Sequence, residues 1–298
     1  MKRVVSISLG SSTRNKKVET ELLGQRIAIE RIGTDGDPKK ARALFLELDG
    51  QVDCFGVGGA DLGFELEDRY YPFYQAQNFI KGLQSPAVDG MGVRWQIERR
   101  VAGRIEAKIG PDIRPKTVLI PVAVDRYQLA SSWLEAGYQC IFGDLGFGLG
   151  LPIPLRSLKQ LRVLARFLLP IFGRVPISLL YPTGEEQTRN DPKFENWYRW
   201  ASAISGDFLY IKRHMPLDMA GKIIVTNTTT PDDIEFCRRR GVKYLITVTP
   251  CLDGRSFGTN VMEAVIVALS GKGRPLTPPE MAEMMGQVQM EPEIQRLN

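Results

Sequence analysis

The sequence predicts an α/β protein in which a C-terminal, Rossmann-like, mainly parallel sheet with helices on both faces is preceded by a smaller α/β domain. Two observations predict it. Short apolar runs at 117–124, 138–142, 208–211, 222–226 and 243–248 are spaced by stretches of helical patterning. Strands joined by helices of about ten residues imply right-handed crossovers and hence a parallel sheet. Ahead of them, Gly110-Pro111-Asp112-Ile113-Arg114-Pro115 gathers two prolines among turn residues, which sets a boundary between domains 1–112 and 113–298. A chain of 298 residues, 43% hydrophobic and 24% charged, can fill two ordinary cores.

In the first domain, residues 4–9 alternate apolar and small side chains as an opening strand. A hairpin of 18–23 and 26–32 turns at Gly24-Gln25. Thr34-Asp35-Gly36-Asp37-Pro38 starts a helix over 39–49, with Pro38 where a missing N–H costs nothing. Strand 52–57 runs into Gly56-Val57-Gly58-Gly59-Ala60-Asp61, followed by an extended pair, 63–66 and 70–73, and by helices over 73–82 and 93–108. These elements follow one another without a clean βαβ rhythm.

In the second domain, 117–124 is the near-continuous apolar run that a buried parallel strand needs. Residues 126–135 are helical, Gly137 turns the chain, and 138–142 is the next strand. Thr230-Pro231-Asp232-Asp233 is an ordinary helix start for 231–240. A final long helix covers 259–269 with Thr259 as its cap, and the tail after Gly271 ends in one short helix. Within 155–172, Lys159, Arg162 and Arg166 recur at helical spacing while Leu158, Leu161, Leu164, Ala165 and Leu168 fill another side. That pattern suits a core-packed helix with a solvated basic side, or a helix lying on a membrane surface.

Composition narrows the functional classes. The four cysteines, Cys54, Cys140, Cys237 and Cys251, form no CxxC pair, so neither a zinc site nor a disulfide framework is expected. A reducing, cytoplasmic setting fits that usage, and the first ten residues read as a strand rather than a signal peptide. A net charge of +5 suits a small anionic ligand and is too mild to imply nucleic acid, for which there is no motif.

Candidate site residues lie where strands of the second domain end, the default crevice of an open parallel sheet. The richest loop runs from Thr247 through Thr249 to Asn260. There Arg255, Ser256, Thr259 and Asn260, with the N–H groups of a helix start, suit a phosphate or carboxylate; Thr259 as a simple cap and Arg255 as a surface ion-pair partner is the plainer alternative. Asn227 and Thr228 precede the helix cap Thr230 and, with Thr249, are candidate cofactor contacts. Asp125 and Arg126 follow the strand 117–124, and Asp144 stands about twenty residues further on, where a dinucleotide fold places the acid for a ribose. The glycines of that fingerprint are missing from Val122-Ala123-Val124-Asp125-Arg126-Tyr127. His214, the single histidine, reads as an exposed structural residue, and Lys212 and Arg213 beside it extend local positive charge.

Ile7-Ser8-Leu9-Gly10-Ser11-Ser12, Glu30-Arg31-Ile32-Gly33-Thr34-Asp35-Gly36-Asp37, Pro152-Ile153-Pro154-Leu155-Arg156-Ser157-Leu158, Tyr181-Pro182-Thr183-Gly184-Glu185, Gly206-Asp207-Phe208 and Asp253-Gly254-Arg255-Ser256-Phe257-Gly258-Thr259-Asn260 resemble a bacterial family commonly labelled quinate 5-dehydrogenase. The likeness spans nearly the whole chain. It implies oxidation of a ring hydroxyl on a carboxylated polyol such as quinate or shikimate, with NAD or NADP taking the hydride and a general base taking the proton. Gly56-Val57-Gly58-Gly59-Ala60 matches the cofactor turn of shikimate and quinate dehydrogenases in letters, whereas their Lys-Asn-x-Thr stretch does not occur, so no catalytic residue carries across by motif.

Three functions follow as expectations. The first is an NAD(P)-dependent oxidoreductase with Lys212 or Asp125 moving the proton, Asp144, Asn227, Thr228 and Thr249 on the cofactor, and Arg126 and Arg255 on the substrate. The second is a transferase-like enzyme gripping phosphate or carboxylate with Arg255, Ser256 and Thr259. The third is a non-catalytic ligand-binding protein on the same scaffold.

Overall fold

The computed structural model describes residues 1–66, 69–175, 190–227, 229–249, 251–252, 255–256, 258–288 and 292–298, with backbone alone for 251–252 and 255–256. In chain order it begins with β1 (Lys2–Ser8), β2 (Lys16–Leu22), β3 (Gln25–Gly33), α1 (Pro38–Leu48), β4 (Cys54–Gly58), β5 (Gly63–Leu66), β6 (Arg69–Pro72), α2 (Tyr74–Ile80), β7 (Ala87–Val88) and α3 (Met91–Ile109). Next come β8 (Thr117–Ile120), α4 (Tyr127–Glu135), β9 (Gln139–Phe142), α5 (Leu158–Phe172), α6 (Glu195–Trp200), β10 (Ala203–Ser205), α7 (Phe208–His214), β11 (Ile223–Thr226) and α8 (Pro231–Arg239). β12 (Tyr244–Thr247), the short pair β13 (Cys251–Leu252) and β14 (Arg255–Ser256), α9 (Thr259–Ser270), α10 (Pro278–Val288) and β15 (Glu293–Arg296) follow. The fold is mixed α/β, as expected, with two mainly parallel sheets flanked by helices.

The described residues group into two compact units, each drawn from separate stretches: Met1–Gln96, Leu168–Gln187 and Gly258–Met290 in the first, Ile97–Phe167, Thr188–Phe257 and Glu291–Asn298 in the second. The boundary expected at residue 112 falls inside the second unit.

In the first unit the strand order is β2-β3-β1-β4-β7. β3, β1, β4 and β7 run parallel, and β2 returns antiparallel on β3 as the hairpin the sequence predicts. Residues that showed no βαβ rhythm thus build a parallel sheet of their own. The rhythm is hidden because that hairpin and the small antiparallel pair β5–β6 interrupt it. Val4, Val5 and Ile7 on β1 are buried, as a strand covered on both faces requires.

Helix α9 belongs to this unit, against the expectation that it closes the C-terminal sheet. Every residue from Val261 to Leu269 is buried, and a helix apolar all round announces burial without saying against what. Bare backbone on β4 fits it here. A Cβ on Gly56 would stand 3.0 Å from the Asn260 carbonyl oxygen, and one on Gly58 3.1 Å from Asn260 Nδ2. Gly56 and Gly58 therefore admit a helix to the sheet, and they lie within β4 itself rather than in a turn beyond it. The Glu263 carboxylate on α9 accepts from the N–H groups of Gly92 and Val93 at 2.8 and 3.3 Å, closing the amino end of α3. Burial, with Asp89 nearby, pushes its pKa up to about 8.

In the second unit the order is β15-β12-β11-β10-β8-β9. β9, β8, β10, β11 and β12 are parallel, and β15 pairs antiparallel with β12. The chain steps from β8 to β9 on one side and then to β10 on the other, so the topology switches between β8 and β10. One face of the sheet buries Leu119, Ile204, Ile224 and Leu245 with Trp197, Tyr198, Phe208 and Ile211 from the covering segments.

Three sequence expectations are corrected here. Residues 208–211 are not a strand but the start of helix α7; Asp207 caps it by accepting from Leu209 N–H at 2.9 Å, and the strand is the shorter β10. Phe208 and Ile211, three residues apart, both face the core, a helical spacing that a four-residue apolar run conceals. The strand from Thr117 stops at Ile120, immediately before Pro121. The tail holds helix α10 and then β15, too polar a strand, Glu-Ile-Gln-Arg, to signal itself as one.

Gly90 tests the packing of α9 on the first unit. Its φ is +95°, and a Cβ there would lie 2.3 Å from the Asn260 backbone nitrogen. We expect Gly90→Ala to cost at least about 2 kcal/mol in urea unfolding; a change under about 0.5 kcal/mol would show that the approach of α9 is looser than described.

Candidate ligand site at the carboxyl edge of the second sheet

The switch between β8 and β10 is where an open parallel sheet leaves a crevice, because the loops leaving the two strands turn away from each other. Both loops carry charge. After β8 the chain turns through Pro121 into a tight turn, Val124–Arg126, ahead of α4. Asp144, just past β9, sets that turn: its Oδ1 accepts from Ala123 N–H at 2.9 Å and Val124 N–H at 2.8 Å. Asp144 is buried, its Oδ2 has no hydrogen-bond partner among the described residues, and burial pushes its pKa up to about 6 against those two donors.

The turn delivers Arg126 into the interior, only 4% exposed. Its Nη1 donates to Glu98 Oε1 at 2.9 Å, and Glu98, on α3, is itself buried. Asp207 Oδ2 lies 3.5 Å from Nη2, and Asp125 Oδ2 lies 3.6 Å from Nε. With its carboxamide oxygen turned toward the guanidinium, Asn227 accepts from both terminal nitrogens at 3.1 and 2.9 Å. Asn227 leaves β11, and Thr249, fully buried beyond β12, donates its hydroxyl to the Asn227 carbonyl at 2.7 Å. Five of the expected site residues, Asp125, Arg126, Asp144, Asn227 and Thr249, thus meet at the ends of β8, β9, β11 and β12. Glu98 and Asp207 join them. The sequence singles out neither as a site residue: Asp207 stands just ahead of the expected strand 208–211, and Glu98 is one of two acids in a helix rich in arginine.

The charge balance differs from the expectation. Arg126, expected to meet an anionic substrate, is one guanidinium among three carboxylates within 4 Å. Arg126 is therefore neutralised before any ligand arrives. Asp207 is the most open of the four charged groups, with 34% of its side chain exposed.

The remaining candidates stand elsewhere. Lys212 Nζ is paired with Asp233 Oδ1 at 2.8 Å and lies over the Phe236 ring, at the far end of α7 from Asp207. Asp233 is also half of the capping box that starts α8 with Thr230. His214 is buried rather than exposed: Nδ1 lies 2.9 Å from the Asp191 carbonyl oxygen, the ring stacks on Phe147, and burial lowers its pKa. Cys140 and Cys237 are buried thiols pushed up to about 12. Thr259 and Asn260 belong to the first unit, where Asn260 Nδ2 donates to Ser6 Oγ at 2.8 Å and Gly258, not Thr259, caps α9. Arg255 and Ser256 form β14, paired with β13. Their side chains, and Thr228, lie outside the described residues.

The family model described as Domain of unknown function (DUF8754) matches residues 92–297, and that described as Domain of unknown function (DUF8753) matches residues 3–89. No curated protein matches the chain. Two solved structures align along it: a galactofuranose-binding protein, 12% identical, covering 97% of this chain and 99% of that one with a TM-score of 0.37; and a protein from Mycobacterium smegmatis in complex with β-D-fucofuranose, 11% identical, covering 100% of both with a TM-score of 0.36. At that level of superposition neither bears on the ligand of this chain.

Asp144 gives a pH test of the turn. Ionised above about its ordinary 3.8 when unfolded but held protonated up to about 6 in the fold, it makes unfolding release a proton in that window. Wild-type stability then falls as pH rises from about 4 to 6, while an asparagine has no proton to lose. We expect the stability of Asp144→Asn relative to wild type to climb by up to about 3 kcal/mol across that window and to level off above it. A difference constant with pH in urea unfolding would contradict the buried carboxyl.

Proposed function

This chain belongs to the family described as Domain of unknown function (DUF8754), and we propose that its second unit binds a small, uncharged, polyhydroxylated ligand over the ends of β8 and β10 without transforming it. The observation that carries the reading is the Arg126 cluster at the topological switch. Carboxylate oxygens beside a carboxamide are suited to accept hydrogen bonds from ligand hydroxyls. Asp207 and Asn227 form the rim that a ligand reaches, and Glu98, Asp125 and Arg126 are the buried floor that fixes them. With the guanidinium already matched, the site gains little from an anion and more from hydroxyls.

Binding without turnover is favoured by what has become of the groups that move protons near neutrality. Lys212 is held by Asp233, His214 is buried on a carbonyl, and the two thiols are far above the range in which they act as nucleophiles. For NAD or NADP, Asp144 is the acid the spacing assigned to a ribose, and it is turned inward onto Ala123 and Val124 N–H groups. The loop after β8 has no glycine to bring backbone close to a pyrophosphate, so these residues do not fit the dinucleotide in its usual pose.

A thermal-shift and calorimetry panel of neutral polyols and monosaccharides, quinate, shikimate, inorganic phosphate, NADH and NADPH tests this. We expect a neutral polyhydroxylated compound to raise the melting temperature by mass action, and Asp207→Asn and Asn227→Ala each to weaken it about tenfold, the loss of one good hydrogen bond to a charged or buried partner. Binding of nicotinamide cofactors alone, or oxidation of quinate or shikimate with reduction of the cofactor, would replace this reading with the dehydrogenase, and binding of inorganic phosphate alone would replace it with the transferase-like enzyme.

A further inference from the structure

Helix α5 has a feature that the ligand site does not use. Leu161, Ala165 and Leu169, four residues apart, are fully buried. Val163, Phe167 and Ile171 repeat the same interval on another side and are 49%, 72% and 59% exposed. At about 100° per residue the two stripes are more than a right angle apart, and Lys159 and Arg166 project between them, both exposed. Arg162, on the same side, is half-buried and reaches the Tyr127 hydroxyl at 3.4 Å. Leu149, Leu151 and Ile153, on the approach to the helix, are also exposed. Single exposed apolar side chains need no explanation; a periodic stripe along one helix does.

Charge says what covers it. Between Leu145 and Gly184 the sequence holds Arg156, Lys159, Arg162, Arg166 and Arg174 and no Asp or Glu, so this one segment matches the whole chain's formal net charge of +5. A second copy docking through the same stripe would set two acid-free basic strips against each other. An anionic surface that also offers hydrocarbon satisfies both features at once. Among the described residues no helix is long and apolar enough to cross a membrane, so the contact is one of lying on a bilayer.

We propose that the outward face of α5 docks on an anionic lipid bilayer, Val163, Phe167 and Ile171 entering the boundary between headgroups and acyl chains while Lys159 and Arg166 meet lipid phosphates. The buried stripe already anchors the helix to the protein, so docking needs no unfolding, and the sequence's two readings of this segment, core helix and surface helix, describe its two faces.

Sedimentation of the full chain with vesicles of equimolar phosphatidylglycerol and phosphatidylcholine, and with pure phosphatidylcholine, tests the proposal. We expect binding to the mixed vesicles alone, falling as salt rises. Lys159→Gln should weaken it about fivefold, one basic residue's share near a charged surface, and Phe167→Asp by about tenfold or more, both with wild-type melting temperatures. Failure to sediment with the mixed vesicles at low salt would overturn it. So would binding that both variants leave unchanged, a large drop in the melting temperature of Phe167→Asp, or a concentration-dependent dimer in sedimentation velocity that Phe167→Asp dissolves, which would assign the face to a second copy.

Discussion

A guanidinium taken out of water must be matched, and the matching of Arg126 organises the carboxyl edge of the second sheet. Moving such a charge into the interior costs several kcal/mol unless partners compensate. Here they come from four separate places in the chain: Glu98 on α3, Asp125 in the same turn, Asp207 at the cap of α7 and Asn227 at the end of β11. Each partner is therefore fixed by the same group, and the loops after β8, β10 and β11 are set relative to one another rather than separately. The crevice that a parallel sheet offers at its switch point becomes a defined array of acceptors.

Acids do structural work beyond that cluster. Asp144 folds the turn that delivers Arg126, and in the first unit Glu263 closes the amino end of α3; both carboxylates accept two backbone N–H groups and both have pKa values raised by burial. Raised carboxyl groups in a protein interior often mark catalysis. In both of these the geometry gives a simpler role, because the same oxygens satisfy backbone donors that would otherwise be orphaned. Lys212 and His214 are likewise occupied in holding the fold, while Asp207 is the most exposed of the charged groups at the edge.

Much of the fold was legible in the sequence where period and punctuation agree. The hairpin of β2 and β3, the helix after Pro38, the extended pair β5 and β6 and the capping box of α8 all stand where turn residues and caps put them. What was not legible depends on partners distant in the chain. Nothing within 259–269 says that α9 lies on β1 and β4, since an apolar helix is equally at home on either sheet. The four residues from Phe208 read equally as strand or helix until Asp207 is seen to cap them, and β15 has no apolar pattern at all. The strand-end rule located Asp125, Arg126, Asp144, Asn227 and Thr249 together, because topology alone brings those loops to one edge. It did not find the two acids that join them, because Glu98 arrives from a helix far earlier in the chain and Asp207 stands beside four residues that read equally as strand.

Double-mutant unfolding at Arg126 and Glu98 probes the organising role of the guanidinium. If the buried pair organises the edge, Arg126→Met strands the buried Glu98 carboxylate and costs about 3 kcal/mol or more, Glu98→Gln removes the shortest of the guanidinium's ion pairs and costs about 1 kcal/mol or more, and the double variant costs clearly less than the two together. Single losses below about 1 kcal/mol that simply add would show that Arg126 is a bystander and that the acceptors around it are placed by something else.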